Sequence, residues 1–183
     1  MTPSTRGWLR IGFRAIERFL AVIGLCALIY FTCFDLTVIA SGSMAPALQG
    51  DNAATGDRIL FEKVTRRFSS PRRWEIHQFR TPEGITAAKR IIGLPGERIS
   101  LRNGVLHING APVPIPSQLA YLRYYPLGNL AAKNEVACGS GYYVLGDDSR
   151  DSNDSRYEGV LTANRFTARA WLILGPNRFG FVR

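Results

Sequence analysis

The chain has 183 residues, a formal charge of +9 and 46% hydrophobic residues. This length allows one domain with an additional short segment and is too small for a multidomain assembly. A basic protein can bind nucleic acid, but outside the N-terminus the basic residues are scattered and form no aromatic–basic motif. The composition therefore predicts no nucleic-acid partner.

The first predicted element is an uncharged apolar run, Phe19–Phe34. Counted from Ile16 it has nineteen residues, enough to span a bilayer, because the Arg18 side chain can extend back to the headgroups. Basic residues before a span stay in the cytoplasm, so the sequence predicts a cytoplasmic N-terminus and an exported C-terminal part. The arginines before the run are Arg6, Arg10, Arg14 and Arg18.

A cleavable signal peptide has the same order of features, and Val38 and Ala40 could occupy positions −3 and −1 of a cut. The apolar run is long for a signal peptide, so we favour a retained anchor. The predicted organisation is a cytoplasmic segment over residues 1–15, a transmembrane helix over 16–35 and an exported domain over 36–183. Only Cys138 lies in that domain, so it has no partner there for a disulfide.

Short apolar segments separated by turn residues follow the anchor and predict strands. Asn103-Gly104 is a strong signal for a two-residue hairpin turn. No long segment has a helical period, although a short helical turn fits Ser117–Tyr124. The predicted fold is mainly β, a partly open, barrel-like domain after one transmembrane helix. The predicted strand segments are 58–61, 85–92, 98–101, 105–108, 141–146 and 170–175.

Two hydroxyls, Ser41 and Ser43, follow the anchor in the stretch SGSMAPAL. A flexible linker has a similar composition. The alternative is a nucleophile held near the membrane, which requires a base to activate it. His77 and His107 lie in sequences that do not resemble a Ser-His-Asp site.

Lys89 is the better candidate for the base. Burial disfavours the charged form of a lysine and lowers its pKa. A solvated pair of Lys89 with Arg90 is the competing interpretation. Alternate residues of a strand share one face, and that of Lys89 is otherwise apolar, with Ile85, Ala87 and Ile91.

The stretch GDDSRDSNDSRYEG, residues 146–159, is rich in Asp and Ser. Its oxygen ligands fit the spacing of an EF-hand, but Ser152 replaces the glycine and Asp154 the apolar residue that such a loop needs. We therefore predict no metal. A polar turn, or a set of groups supporting a buried lysine, remains as the explanation.

Together these segments resemble type I signal peptidases, which are membrane-anchored Ser/Lys endopeptidases. The family motifs SGSMxPTL, KRVxGLPGD and GDNRxNSxDSR are similar to SGSMAPAL, KRIIGLPGE and GDDSRDSNDSR here, in the same order and after an anchor. The resemblance covers residues from about 19 to 175. It implies removal of signal peptides from exported preproteins, after small residues at −3 and −1, without a metal or cofactor.

The resemblance also implies roles for individual residues. Ser43 would be the nucleophile and Lys89 the general base, with the hydroxyl of Ser41 helping the Ser43 N–H to bind the oxyanion. Ser152 would hydrogen-bond to the lysine and orient it. Asp154 and Arg156 would form a structural pair beside the site, and Asp147 is the acid that opens the last motif.

The same resemblance implies a single-pass protein of the cytoplasmic membrane, in contact with lipid and with its catalytic domain outside; it implies no oligomeric state. The segment RRWEIHQF departs from the family's RGDIVVF, with Trp74, His77 and Gln78 at altered positions. A specialised pilin-processing peptidase of the same superfamily, or a silent anchored β-domain, would share many of these features. Self-cleaving repressors use Ser/Lys chemistry but lack an anchor.

Overall fold

The structure is a computed structural model that describes residues 5–52, 54–175 and 178–182. Helix α1, Thr5–Cys33, begins before the predicted anchor and ends two residues short of its predicted end. Its segment Arg10–Cys33 is long and apolar enough to cross a membrane by length and composition, and none of it is buried against the rest of the chain. Phe34 and Asp35 belong instead to the first strand.

The remaining described residues form eleven strands, one short helix and several 3₁₀ turns. The strands are β1 Phe34–Val38, β2 Arg58–Glu62, β3 Ile76–Arg80, β4 Thr86–Gly93, β5 Arg98–Arg102, β6 Val105–Ile108, β7 Ala111–Pro112, β8 Glu135–Ala137, β9 Tyr143–Leu145, β10 Phe166–Leu174 and β11 Phe179–Phe181. The second helix is α2, Ser155–Glu158. The 3₁₀ turns are Gly42–Met44, Thr65–Arg67, Ser117–Leu119, Gly128–Lys133 and Ala163–Arg165.

All strand pairs are antiparallel and form two sheets. The large sheet has the order β1-β2-β10-β3-β4-β9, with β11 paired to β10, and the small sheet has the order β7-β6-β5-β8. The mainly β fold is confirmed, and each of the six predicted segments contains a strand or part of one. Strand β3 was not predicted, because its residues Ile76–Phe79 are all buried although two of them are polar.

The large sheet curves until β1 and β3 face each other, although β2 and β10 separate them in the strand order. Gln78 on β3 donates from Nε2 to Asp35 Oδ2 at 3.1 Å and to Thr37 Oγ1 at 2.9 Å, both on β1. Buried side chains such as Ile59 and Phe61 fill the space inside the curve. This curvature agrees with the predicted partly open barrel and brings the chain after β1 close to β4.

The small sheet begins with the predicted hairpin. Asn103 and Gly104 have φ values of 51° and 78°, as a type I′ turn requires, and Arg102 pairs with Val105. Buried side chains of this sheet, among them Ile99 and Leu106, form a second core with the 3₁₀ turns that follow. The same core contains Ile92 and Leu145 of the large sheet, so the small sheet packs against the large one.

Gly104→Ala should lower the free energy of unfolding by about 1–2 kcal/mol, because a Cβ is strained in the left-handed region. Chemical denaturation of the detergent-solubilised protein would measure the change. The neighbouring exposed substitution Arg102→Ala should stay within about 0.5 kcal/mol of wild type. Equal stability of the two variants would contradict the type I′ turn.

Candidate active site

Ser43 lies in the 3₁₀ turn Gly42–Met44, immediately after the chain leaves β1 and the core residue Ile39. The buried side chains of Met44 and Leu48 fix this turn against the large sheet. Ser41 Oγ is 3.3 Å from Ser43 Oγ. The turn that carries Ser43 is therefore packed against the core, unlike a flexible linker, and the exposed Ser41 hydroxyl lies beside Ser43.

Lys89 reaches the same point from β4. Its Nζ is 2.6 Å from Ser43 Oγ, although the two residues are 46 positions apart in sequence. Lys89 is 5% exposed and Arg90 is fully buried. The interpretation of Lys89 and Arg90 as a solvated basic pair is therefore wrong.

Burial lowers the pKa of Lys89 below its ordinary value of 10.5, since the charged amine loses its hydration. The charges of Asp154, Glu158 and Asp147 oppose this effect, while Arg156 supports it. The lowered pKa makes the neutral amine accessible at a lower pH than for a lysine in water. A neutral amine at hydrogen-bond distance from a hydroxyl can accept its proton.

Arg90 has a supporting role that its sequence position did not reveal. Its guanidinium forms a two-pronged ion pair with Asp147, Nε to Oδ1 at 2.7 Å and Nη2 to Oδ2 at 2.6 Å. It also donates to the Trp74 carbonyl at 2.6 Å and lies 3.2 Å from the Tyr121 hydroxyl. The strand that carries Lys89 is thus fixed to the loop after β9. Alternation along β4 indicated only that Arg90 points away from Lys89.

Trp74 occupies the position where the family segment RGDIVVF has glycine. Its φ of 74° lies in the left-handed region, which glycine adopts most readily. A bulky residue is rarely found in the left-handed region because its Cβ crowds the backbone. Here the unusual conformation directs the Trp74 carbonyl to Arg90. Trp74 thus adopts a backbone conformation that glycine reaches more easily.

A second buried ion pair lies at the start of α2. Arg156 donates from Nε to Asp154 Oδ1 at 2.8 Å and from Nη2 to Asp154 Oδ2 at 2.7 Å. Asp154 Oδ2 also accepts from the Ser152 hydroxyl at 2.8 Å and from the Gly146 N–H at 3.0 Å. The carboxylate therefore connects both ends of the loop between β9 and α2.

The resemblance implied a hydrogen bond between Ser152 and Lys89. No such bond is present among the residues that the structure describes. The Ser152 hydroxyl donates to Asp154. It still lies at the site, because a Cβ added at Gly146 would come within 2.2 Å of Ser152 Oγ and 2.5 Å of the Ser43 carbonyl oxygen. Only glycine fits at position 146. The Asp148 N–H completes this contact by donating to the Ser43 carbonyl at 3.1 Å.

The two histidines are outside this arrangement. His77 is buried, and its Nε2 is 3.0 Å from Glu75 Oε2. His107 lies on β6 and its Nδ1 contacts the Val105 carbonyl at 3.0 Å. In residues 5–52, 54–175 and 178–182 neither histidine is bonded to Ser43, so the geometry does not favour a Ser-His-Asp site.

The acidic loop does not present its oxygens to a common point. Asp147 is paired with Arg90, Asp154 with Arg156, and Glu158 accepts from Asn153 at 2.8 Å. Across the described residues, no group of three or more His, Cys, Asp or Glu side chains could hold a metal ion. The loop instead supplies hydrogen bonds around the Ser43 turn.

A cavity of about 300 Å³ opens beside Ser43 and Lys89. It lies between β1 and β4 and continues to Gln78 on β3. A peptide could lie along it in extended form, with a carbonyl at Ser43. The other lining residues are Thr37, Val38, Ile39, Ala40, Ser41, Met44, Phe61, Ile85, Thr86, Ala87 and Ala88.

The amino-acid sequence around this site matches a known protein family. The sequence pattern of the family described as "Signal peptidase, peptidase S26" matches residues 12–174. The chain belongs to this signal peptidase family. Family membership makes it a serine peptidase, a hydrolase that removes signal peptides from exported preproteins, and agrees with an N-terminal membrane-anchoring helix.

Proteins similar to this chain are named signal peptidase I. The chain is 31% identical over 176 residues to the probable signal peptidase I-1 of Synechocystis, covering 90% of this chain and 84% of that protein. It is 30% identical over 164 residues to signal peptidase I of Bacillus caldolyticus, covering 82% and 84%. A crystal structure of a signal peptidase I from Enterococcus faecalis matches with a TM-score of 0.44 and 31% identity, over 55% of this chain and 97% of that one.

Arg156→Met should lower the free energy of unfolding by about 3–5 kcal/mol, because it leaves the buried Asp154 carboxylate without its cation. Thermal or denaturant unfolding in detergent would measure the loss. The matched control is Arg98→Met, which removes an exposed ion pair with Glu135 and should cost less than about 1 kcal/mol. Similar losses in the two variants would show that the buried pair does not hold the loop.

Proposed function

We propose that this signal peptidase uses Ser43 as its nucleophile and Lys89 as its general base. The observation that carries the proposal is the 2.6 Å separation of Lys89 Nζ and Ser43 Oγ at a buried point beside an open cavity. Burial lowers the pKa of the amine, so the neutral form can accept the serine proton.

In the proposed reaction, Ser43 Oγ attacks the carbonyl carbon of the scissile peptide bond while Lys89 takes its proton. The negative oxygen of the tetrahedral intermediate is bound by the Ser43 N–H and the Ser41 hydroxyl. The protonated Lys89 then donates to the leaving amine, which departs with the mature protein. Lys89 next removes a proton from a water molecule, and the resulting hydroxide attacks the ester carbonyl. The bond to Ser43 Oγ breaks, Lys89 returns the proton to that oxygen, and the signal peptide is released as a carboxylic acid.

The cavity supports a preference for small residues at −1 and −3 of the cleavage site. Side chains two positions apart in an extended peptide point the same way. The wall that such side chains would meet includes Met44, Phe61 and Ala88, which leaves limited space between β1 and β4. Large side chains at either position would clash with packed residues that cannot move without disturbing the core.

The proposed topology has α1 spanning the cytoplasmic membrane with its arginine-rich start in the cytoplasm. The catalytic domain then lies on the outer side, where exported preproteins emerge. Ser43 follows α1 by ten residues, so even an extended chain keeps it within about 36 Å of the helix end. This distance suits a substrate whose own signal peptide is still in the bilayer.

Ser43→Ala should abolish cleavage of a purified preprotein, with a loss on the order of 10⁴-fold or more. Ser41→Ala should lose about 10²–10³-fold, as expected for one donor to the oxyanion. Gel-based cleavage assays in detergent would measure both, with circular dichroism to verify folding. His107→Ala is the control and should cleave at the wild-type rate. A folded Ser43→Ala variant with wild-type activity would refute the nucleophile.

Lys89→Arg should be as inactive as Lys89→Ala, because arginine keeps the charge but cannot give up its proton at usable pH. The wild-type rate should rise with pH as the amine loses its proton, through an apparent pKa below the ordinary lysine value. Rate–pH profiles with a short peptide substrate would measure this. Appreciable activity in a folded Lys89→Arg variant, or a rate that rises only near the ordinary pKa of lysine, would exclude Lys89 as the base.

A further inference from the structure

One end of the large sheet lies directly against α1. The Lys63 N–H, just after β2, donates to the Cys33 carbonyl at 2.8 Å, and the Lys63 ammonium donates to the Phe31 carbonyl at 3.1 Å. The chain segment that follows Lys63 therefore starts beside the last turn of the proposed membrane span.

The strand registers bring other parts of the chain to this same end. Phe34 pairs with Glu62, Glu62 with Arg169 and Arg169 with His77, which defines one row across the sheet. From this row towards α1, β10 runs back to its first residue and β3 runs forward to Arg80. The β3–β4 turn and the segment before β10 therefore lie at the end that α1 occupies.

This end carries a cluster of cations that are far apart in sequence. The Arg66 guanidinium donates to the Thr167 carbonyl at 3.2 Å, and that of Arg165 donates to the Arg80 carbonyl at 2.8 Å. We call the following residues the basic rim: Lys63, Arg66, Arg67, Arg80 and Arg165.

None of the basic rim residues forms an ion pair with a carboxylate in the ranges the structure describes. Glu83, in the β3–β4 turn, is an exposed acidic residue at this end. Three of the rim arginines are exposed, and Lys63 and Arg165 are half-buried. Arg165 interacts electrostatically with Glu83, but the five cations of the rim keep an excess of positive charge.

Exposed apolar side chains lie within the basic rim. Phe68, which directly follows Arg66 and Arg67, is 83% exposed, and Ile85 at the start of β4 is 64% exposed. An aromatic ring beside arginines is poorly placed in water but suits the boundary between lipid headgroups and acyl chains. Ile85 also lines the cavity beside Ser43.

We propose that the basic rim and Phe68 dock on the acidic phospholipid surface of the membrane that α1 spans. The proposal rests on the proposed membrane anchoring of α1. Charge and position favour lipid as the partner, since basic side chains bind acidic headgroups and the rim is continuous with the end of the span. Docking would hold the cavity mouth at Ile85 against the bilayer, at the level where a signal peptide emerges from the lipid.

The test follows the position of the segment after Arg66 in full-length protein reconstituted in vesicles. Ser70, an exposed residue of that segment, is replaced by Cys and labelled with an environment-sensitive fluorophore. Cys26 and Cys33 are changed to Ala, and the buried Cys138 is retained. Quenching by lipids that carry a quencher then reports contact with the bilayer.

The expected result is strong quenching in vesicles of equal parts phosphatidylcholine and phosphatidylglycerol, and weak quenching in phosphatidylcholine alone. High salt should reverse the contact, because dissolved ions then screen charges that lie more than a few ångströms apart. The combined substitutions Arg66→Gln, Arg67→Gln and Phe68→Ser should weaken the contact by about tenfold or more.

A matched triple variant in the small sheet controls for a general loss of charge. It removes two exposed arginines and one exposed apolar residue of the β5–β6 hairpin, and should leave the quenching unchanged. Its substitutions are Arg98→Gln, Arg102→Gln and Val105→Ser.

Equal quenching with and without phosphatidylglycerol, or an equal effect of the two triple variants, would overturn the proposal. So would the absence of quenching in acidic vesicles, the result expected if the rim binds a protein or nothing. Alkaline carbonate extraction separates this failure from failure of the anchor. A chain that stays with the vesicles while its label is unquenched retains the anchor and refutes only the docking.

Discussion

The burial of the Lys89 amine against the Ser43 hydroxyl is the constraint on which the rest of the site depends. A lysine surrounded by water would keep its proton at neutral pH. A lysine surrounded only by apolar atoms would cost free energy, because its amine would have no hydrogen-bond partner. This protein places β4 and the Ser43 turn together by means of two buried arginine–aspartate pairs, neither of which includes Lys89. Arg90 fixes β4 to Asp147, and Asp154 holds the ends of the neighbouring loop.

The two ion pairs also explain how carboxylates can lie near Lys89 without cancelling the effect of burial on its pKa. Asp147 and Asp154 both favour the protonated amine, yet burial remains the largest influence on its pKa. Each carboxylate already accepts two bonds from a guanidinium, so much of its field is compensated before it reaches Lys89. An acid left without its arginine would raise the pKa of Lys89 and favour its protonated form. The pairs therefore fix the geometry and preserve the lowered pKa together.

The sequence predicted those features that depend on local pattern. Apolar segments between turn residues located six strand regions, and Asn103-Gly104 located a hairpin, because both signals arise within a few residues. Strand β3 was missed because Gln78 is buried by hydrogen bonds to Asp35 and Thr37, about forty positions earlier. A periodicity argument has no access to such partners.

In the site, too, local pattern predicted some features, whereas those that depend on residues distant in sequence were missed. Alternation along β4 indicated that Lys89 faces apolar neighbours, which agrees with its burial. It could not indicate that Arg90 is buried as well, because the reason is Asp147, 57 residues later. The motif resemblance likewise located Ser152 but gave it a bond to Lys89, whereas its hydroxyl donates to Asp154. Which of two nearby polar groups accepts a bond depends on distances that a sequence motif does not contain.

Direct titration of the Lys89 amine is the closest test of whether this lysine can act as a base. The protein would carry isotope-labelled lysine side chains in the Ser43→Ala background, where no turnover occurs, and the Lys89 signal would be assigned by its loss in Lys89→Arg. NMR chemical shifts followed against pH then give its pKa without reference to any reaction. We expect a pKa below the ordinary lysine value of 10.5. A value at or above 10.5 would show that burial does not lower the pKa of the amine, and would contradict its proposed role as the base.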